Sequence, residues 1–310
     1  MDPGMVKEDT DFSIPLSDGR QFGLRWYGAS NGQPVLALHG TPGSRLKFRL
    51  ASKAANELGL KLYCPDRWGY GLTAKPLLQP SLAEFANDIC EVTNRLGLAR
   101  FSIVGISGGG PFAATVAAAL GARVDKLALI GPVGPILPRP FHGPIGPFHR
   151  FAFTAWPRMP GGMRLTFATF RMLLSASQDL AITTVAARAG YADRQILRER
   201  ENKKALAEIM RAGLLRSVEG PVIDMMLFGR NWNVDLSTVT AETHLWLGLE
   251  DHNIPLGPAR RLASAIPNAK LTEIVGAGHF WIMENYREVF DWLATDLDED
   301  VTRFRLRHDH

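Results

Sequence analysis

The chain has 310 residues, 46% of them hydrophobic and 21% charged, with a net charge of +4. This is enough apolar material for a large core, and at roughly 100–200 residues per domain it makes one large domain or two smaller units. The charge is too small and dispersed for nucleic-acid binding, no apolar run nears the ~18 residues of a membrane span, and two cysteines are too few for a disulfide framework. Cys64 and Cys90 therefore read as buried free thiols. Met1–Thr10 carries both charge signs and lacks the apolar core of a secretory signal, so the expectation is a soluble cytoplasmic protein. Self-association as a homodimer stays open.

In chain order, Phe12, Ile14 and Leu16 alternate with polar or small residues, and Phe22, Leu24 and Trp26 do so again after Ser17-Asp18-Gly19. Two period-two runs around an Asp-Gly turn predict a β-hairpin, and Pro15 assigns it to a sheet edge. The pattern then changes to short continuous apolar runs at Val35–Leu38, Lys61–Cys64 after its first residue, Phe101–Val104, Leu127–Ile130, Leu245–Leu247 and Ile274–Val275. Such runs suit strands covered on both faces. Helical patterns separate them at Phe48–Leu58, Ser81–Leu96, Gly108–Leu120, Pro258–Ala265 and Glu284–Ala294. The alternation predicts an α/β fold: a mostly parallel, doubly wound sheet preceded by an antiparallel hairpin.

The alternation breaks between Ile130 and Leu245. Pro132, Pro135, Pro138, Pro140, Pro144 and Pro147 open this stretch, and helical segments follow, Asp193–Leu215 being the clearest. Phe148, Phe151, Phe153, Trp156, Met163, Phe167, Met172, Met225, Met226 and Phe228 are too apolar for a linker. The expected division is a core of residues 1–132 and 241–310 with a helical cap inserted at 133–240. The Met and aromatic side chains would serve as cap core and as a hydrophobic roof over an apolar or aromatic small-molecule substrate. Lys203 and Lys204 mark a solvated outer face. At the C-terminus, Arg303, Arg305 and Arg307 follow Asp298, Glu299 and Asp300, which reads as a solvated tail. His308 and His310 there lack a third metal ligand.

Gly105-Ile106-Ser107-Gly108-Gly109 lies between an apolar run and a Gly/Ala-rich helix. A strand-to-helix turn of this kind forces Ser107 toward positive φ and lifts its hydroxyl above the carboxyl end of the sheet. A serine hydroxyl needs a base and the base an orienting acid. His279, in Val275-Gly276-Ala277-Gly278-His279-Phe280, is the candidate base. Asp251 is the candidate acid, with Glu250 as its neighbouring competitor. The order Ser, Asp, His suits this architecture. The backbone N–H groups of Gly108 and Thr41 are candidate oxyanion donors; Pro42 has none. His39 is expected to hold that loop and Asp66 to shape the turn Asp66-Arg67-Trp68-Gly69-Tyr70-Gly71. Trp68 and Phe280 are candidate pocket walls, and His252 a surface residue.

The chain resembles the α/β-hydrolase family in its capped form. The matching pieces are His39-Gly40-Thr41-Pro42-Gly43-Ser44-Arg45, Asp66-Arg67-Trp68-Gly69-Tyr70-Gly71, the Ser107 turn, Gly248–Asp251 and Gly278-His279. The resemblance implies an eight-stranded sheet, a Ser-His-Asp triad, no cofactor and no metal, and a serine esterase or lactonase. It leaves the substrate open. Ser107 departs from the Asp nucleophile of the family's dehalogenases and epoxide hydrolases. Proline iminopeptidases often carry His-Gly-Gly-Pro-Gly where Thr41 stands, and bind an amino terminus through cap acids; Asp179, Asp193, Glu208 and Asp224 are available. Hydrolases of carbon–carbon bonds in dienone acids would use cap arginines such as Arg158 or Arg164 as carboxylate holders. A non-catalytic small-ligand receptor and a cofactor-free haloperoxidase are further readings on the same fold.

Overall fold

The computed structural model describes residues 7–137 and 145–295. Pro138, Pro140, Pro144 and the charged tail with His308 and His310 lie outside the described residues.

Eight strands form one sheet: β1 (Phe12–Pro15), β2 (Gln21–Gly28), β3 (Gln33–Leu38), β4 (Leu60–Pro65), β5 (Phe101–Ile106), β6 (Val124–Ile130), β7 (Glu242–Gly248) and β8 (Lys270–Ile274). Their spatial order is β1-β2-β4-β3-β5-β6-β7-β8. The β1–β2 and β2–β4 pairs are antiparallel and the rest are parallel. Pro15 sits in edge strand β1, where its missing N–H breaks no ladder.

The continuous apolar runs split by period two onto both faces. Leu36, Leu38, Ile103, Leu127, Leu129, Leu245 and Leu247 enter one buried cluster; Val35, Ala37, Val104, Ile106, Ala128, Ile130 and Trp246 enter another. A 3-10 segment, Arg45–Ala51, continues into α1 (Ser52–Glu57) in place of the single helix expected over 48–58. Next come α2 (Leu82–Arg95), N-capped by Ser81, and α3 (Gly110–Leu120). Phe85, Ile89 and Val92 of α2 and Phe112 and Val116 of α3 cover the first face.

Among the described residues six α-helices lie between β6 and β7: α4 (Pro147–Thr154), α5 (Pro160–Ala176), α6 (Gln178–Arg188), α7 (Tyr191–Ile196), α8 (Arg200–Gly213) and α9 (Glu219–Phe228). The helix expected over 193–215 is two, α7 and α8, interrupted at Leu197–Glu199. Leu174, Ile182, Leu197, Leu206, Met210 and Leu214 form a further buried cluster that Phe280 and Met283, after β8, also join. After β7 follow α10 (Leu256–Ala265) and, after β8, α11 (Tyr286–Ala294), whose Val289, Phe290 and Leu293 join Ala55 of α1 on the second face.

Strand β8 ends at Ile274, the first residue of the apolar run in the sequence, and Val275 is 86% exposed. An edge strand with little cover has no continuous apolar run, so periodicity catches only its last residue. Cys64 is buried, but Cys90 on α2 is half-buried. No helix among the described residues is long and apolar enough to cross a membrane.

Candidate active site

The loops that leave β3, β5, β7 and β8 converge at the carboxyl ends of the parallel strands, where open α/β sheets place their crevices. Ser107 follows β5 with φ 55°. A left-handed conformation at a residue with a Cβ costs about 1–3 kcal/mol and persists only where the surroundings over-determine it. Here β3 and β6 pin β5 on both sides. The neighbours must be small: a Cβ on Gly105 would lie 2.6 Å from Ala113 Cβ, and one on Gly109 would lie 2.5 Å from the Leu38 carbonyl oxygen.

Three side chains far apart in sequence form one hydrogen-bonded line. His279 Nε2 is 2.9 Å from Ser107 Oγ, and His279 Nδ1 is 2.6 Å from Asp251 Oδ2. The other Asp251 oxygen accepts the N–H groups of Asn253 (2.7 Å) and Ile254 (3.0 Å), which fixes the carboxylate plane. With Nδ1–H donating to Asp251, Nε2 is free to accept the serine hydroxyl proton. Burial works against a charged imidazole, but the Asp251 and Asp193 carboxylates outweigh it and hold His279 above its ordinary value. The competing carboxylate, Glu250, is exposed. His252, expected at the surface, is half-buried and packs against Gly190.

The oxyanion candidates are neighbours. Thr41 stands so close to Gly108 that a Cβ there would overlap its side chain. His39 Nδ1 is 2.8 Å from the Gly40 carbonyl, and its Nε2 accepts the Arg67 N–H at 3.1 Å, so it braces the loop. Burial and then Arg67 depress its pKa, keeping it neutral. Asp66 is likewise structural: it accepts the Arg45 N–H, the Arg45 guanidinium and the Leu72 N–H.

Two carboxylates have roles that residue patterns did not isolate. Asp193 on α7 is fully buried and accepts the N–H groups of His279 (2.9 Å) and Phe280 (2.7 Å). Asp224 on α9 accepts from the Thr41 hydroxyl (2.6 Å), the Tyr70 hydroxyl (2.6 Å) and the Arg67 guanidinium (2.5 Å). Each clamps a loop of the sheet to an inserted helix. Asp224 had a legible signal, a lone acid inside Val222–Phe228; Asp193 had none.

A cavity of about 570 Å³ opens over Ser107. Thr41, Gly108, Ser107 and His279 line it on the sheet side; Phe148, Phe153, Trp156, Phe167, Met225 and Phe228 line it from the inserted helices. Phe280 is on its wall. Trp68 is not. It is 1% exposed, packs edge-on against Phe85 at 5.3 Å and donates its indole N–H to Asp88 at 2.7 Å. A buried indole follows its N–H partner, and that acceptor is on α2. Arg158 and Arg164 are exposed and absent from the wall, and Arg164 pairs with Glu219 at 2.7 Å. Of the four acids considered, Asp179 pairs with Lys203 and Glu208 with Arg49, both at 2.5 Å, while Asp193 and Asp224 hold loops. None of the four lines the cavity. Among the described residues no three His, Cys, Asp or Glu side chains group to hold a metal ion.

Residues 33–286 match the family model of the alpha/beta hydrolase fold, and the chain belongs to that family. It is 29% identical over 135 residues to a non-heme chloroperoxidase of Streptomyces lividans, covering 43% of this chain and 49% of that protein, so the match spans about half the relative's length. A bromoperoxidase from Bacillus anthracis superposes with a TM-score of 0.68 at 21% identity, covering 94% of this chain and 100% of that one. An esterase from Exiguobacterium antarcticum gives a TM-score of 0.66 at 19% identity, covering 91% and 97%. The two structural likenesses are likenesses of fold.

Proposed function

We propose that this protein is a serine hydrolase of carboxylic esters or lactones, with Ser107, His279 and Asp251 as its triad and residues 133–240 as a cap over the substrate. The observation that carries this reading is the placement of one imidazole 2.9 Å from a serine hydroxyl and 2.6 Å from a buried carboxylate. Ser107 Oγ attacks the carbonyl carbon as His279 Nε2 takes its proton. Asp251 holds the ring in the required tautomer and stabilises the imidazolium. The Thr41 and Gly108 amides receive the oxyanion; one such donor is typically worth about 2.7–4 kcal/mol of barrier. The tetrahedral intermediate collapses, the alkoxide leaves with the proton from His279, and Ser107 retains the acyl group. Water, deprotonated by His279, then attacks the acyl carbon and releases the acid.

A fluorophosphonate probe and a panel of p-nitrophenyl esters, lactones and aminoacyl amides test the scheme. Covalent labelling at Ser107 with ester or lactone turnover is the expected result. Ser107→Ala should abolish labelling and lower kcat by up to about a millionfold, as in comparable triads. An inert Ser107 in the native protein would leave a ligand receptor as the better reading. The haloperoxidase names of two similar proteins favour one second activity, perhydrolysis, in which hydrogen peroxide replaces water in attacking the acyl group. The aminopeptidase alternative is disfavoured, because no acidic side chain among the described residues lines the cavity to receive an ammonium group.

A further inference from the structure

We propose that the substrate carries an anionic group, a carboxylate on an otherwise apolar body, and that Lys47 on the cavity wall binds it. For the reaction this rests on the serine-hydrolase reading; for binding it stands alone.

Lys47 lies in the segment directly after the oxyanion loop and lines the cavity at 7% exposure. Its backbone is fixed at both ends: its N–H donates to the Ser44 carbonyl at 3.0 Å, and its carbonyl accepts the Tyr286 hydroxyl at 3.1 Å. Its basic neighbours are paired. Arg45 binds Asp11 and Asp66, and Arg49 binds Glu208. The Lys47 ammonium has no hydrogen bond or ion pair among the described residues. No counter-ion is at hand among the described residues, since no Asp or Glu lines the cavity and no carboxylate interacts with Lys47.

An ammonium held at a cavity wall without a counter-ion loses much of its hydration, a cost that an apolar side chain of similar volume would not carry. Such a charge makes physical sense if its partner arrives with the ligand. Burial pushes the lysine down to about 8, so the cation still predominates at neutral pH. Its field also lowers His279, so it is felt at the base. Arg188 is a weaker candidate: it is exposed, and its guanidinium rests over the Phe148 ring at 4.2 Å.

The test compares mono-p-nitrophenyl suberate with p-nitrophenyl octanoate, matched acyl chains with and without a terminal carboxylate, together with the shorter glutarate and adipate hemiesters. In parallel, calorimetry of the Ser107→Ala protein compares monomethyl suberate with dimethyl suberate, so binding is read without turnover. The expected result is preferential binding of the carboxylate. The hemiester-to-neutral ratio of kcat/KM should fall by at least about tenfold in Lys47→Met, the scale of one hydrogen bond to a charged group. Lys47→Arg should retain most of the preference. An unchanged ratio in Lys47→Met, or equal binding of the two methyl esters to Ser107→Ala, overturns the proposal even if esters are hydrolysed. Carboxylate-selective binding without ester turnover by the native protein would instead sink the hydrolase reading and leave this one standing.

Discussion

In the proposed scheme the imidazole of His279 sets the chemistry's dependence on pH. It acts as base only when neutral, and Asp251 and Asp193 hold its pKa above the ordinary 6.5. Activity should therefore fall as pH drops through a value higher than 6.5, read as the acid limb of kcat/KM against pH. The sign for stability is opposite. A histidine whose folded pKa is raised stabilises the fold below its unfolded pKa and loses that contribution as pH rises through the folded value. In Asp251→Asn the limb should move to lower pH and kcat should fall by about 10⁴, because the favoured tautomer is lost with the charge. A limb unmoved in that variant would mean that another group titrates.

At the scale of elements, a short helix of the insertion holds the loop that bears His279. Helix α7 spans six residues and cannot rely on propensity; the two backbone N–H groups it receives at Asp193 tie it to the loop after β8. Asp193→Asn replaces one acceptor oxygen with a donor facing a donor. Leaving a buried N–H unpaired should cost about 1–3 kcal/mol in denaturant unfolding. The same variant removes a negative charge that raises His279, so the acid limb should also move to lower pH. A merely structural loss would leave the limb in place.

Across the whole molecule, the inserted helices share apolar clusters with the rest of the chain, through Phe153, Trp156, Phe167 and Phe228 on one side and around Phe280 on the other, and polar clamps bind them to the sheet as well. The second clamp joins Asp224 of α9 to Thr41, Arg67 and Tyr70. Arg67 is fully buried, so deleting its partner strands a charge. Asp224→Ala should cost about 3–5 kcal/mol in urea unfolding, whereas Tyr70→Phe should cost only about 0.5–1.5 kcal/mol. Comparable losses in the two would show that the clamp is not organised around the ion pair. Because Thr41 is held by the same carboxylate, Asp224→Ala should also lower kcat for esters.

What the sequence determined by itself is local: strands buried on both faces by their continuous apolar runs, the hairpin by its Asp-Gly turn, and the strained serine by the glycines around it. Those signals are short-range consequences of backbone sterics and side-chain period, and they point to Ser107, Asp251 and His279 as the candidate triad. Tertiary structure alone decided which carboxylates serve which loops. Asp193 and Asp224 are ordinary acids until folding places them against N–H groups and hydroxyls from distant strands. Trp68 turned inward for the same reason, to reach Asp88. Lys47 looks like any basic residue among Arg45 and Arg49, and only the folded surroundings pair its neighbours and leave its charge to the cavity. Long-range electrostatic partnership is not written in spacing, because it depends on contacts between residues that the chain itself keeps far apart.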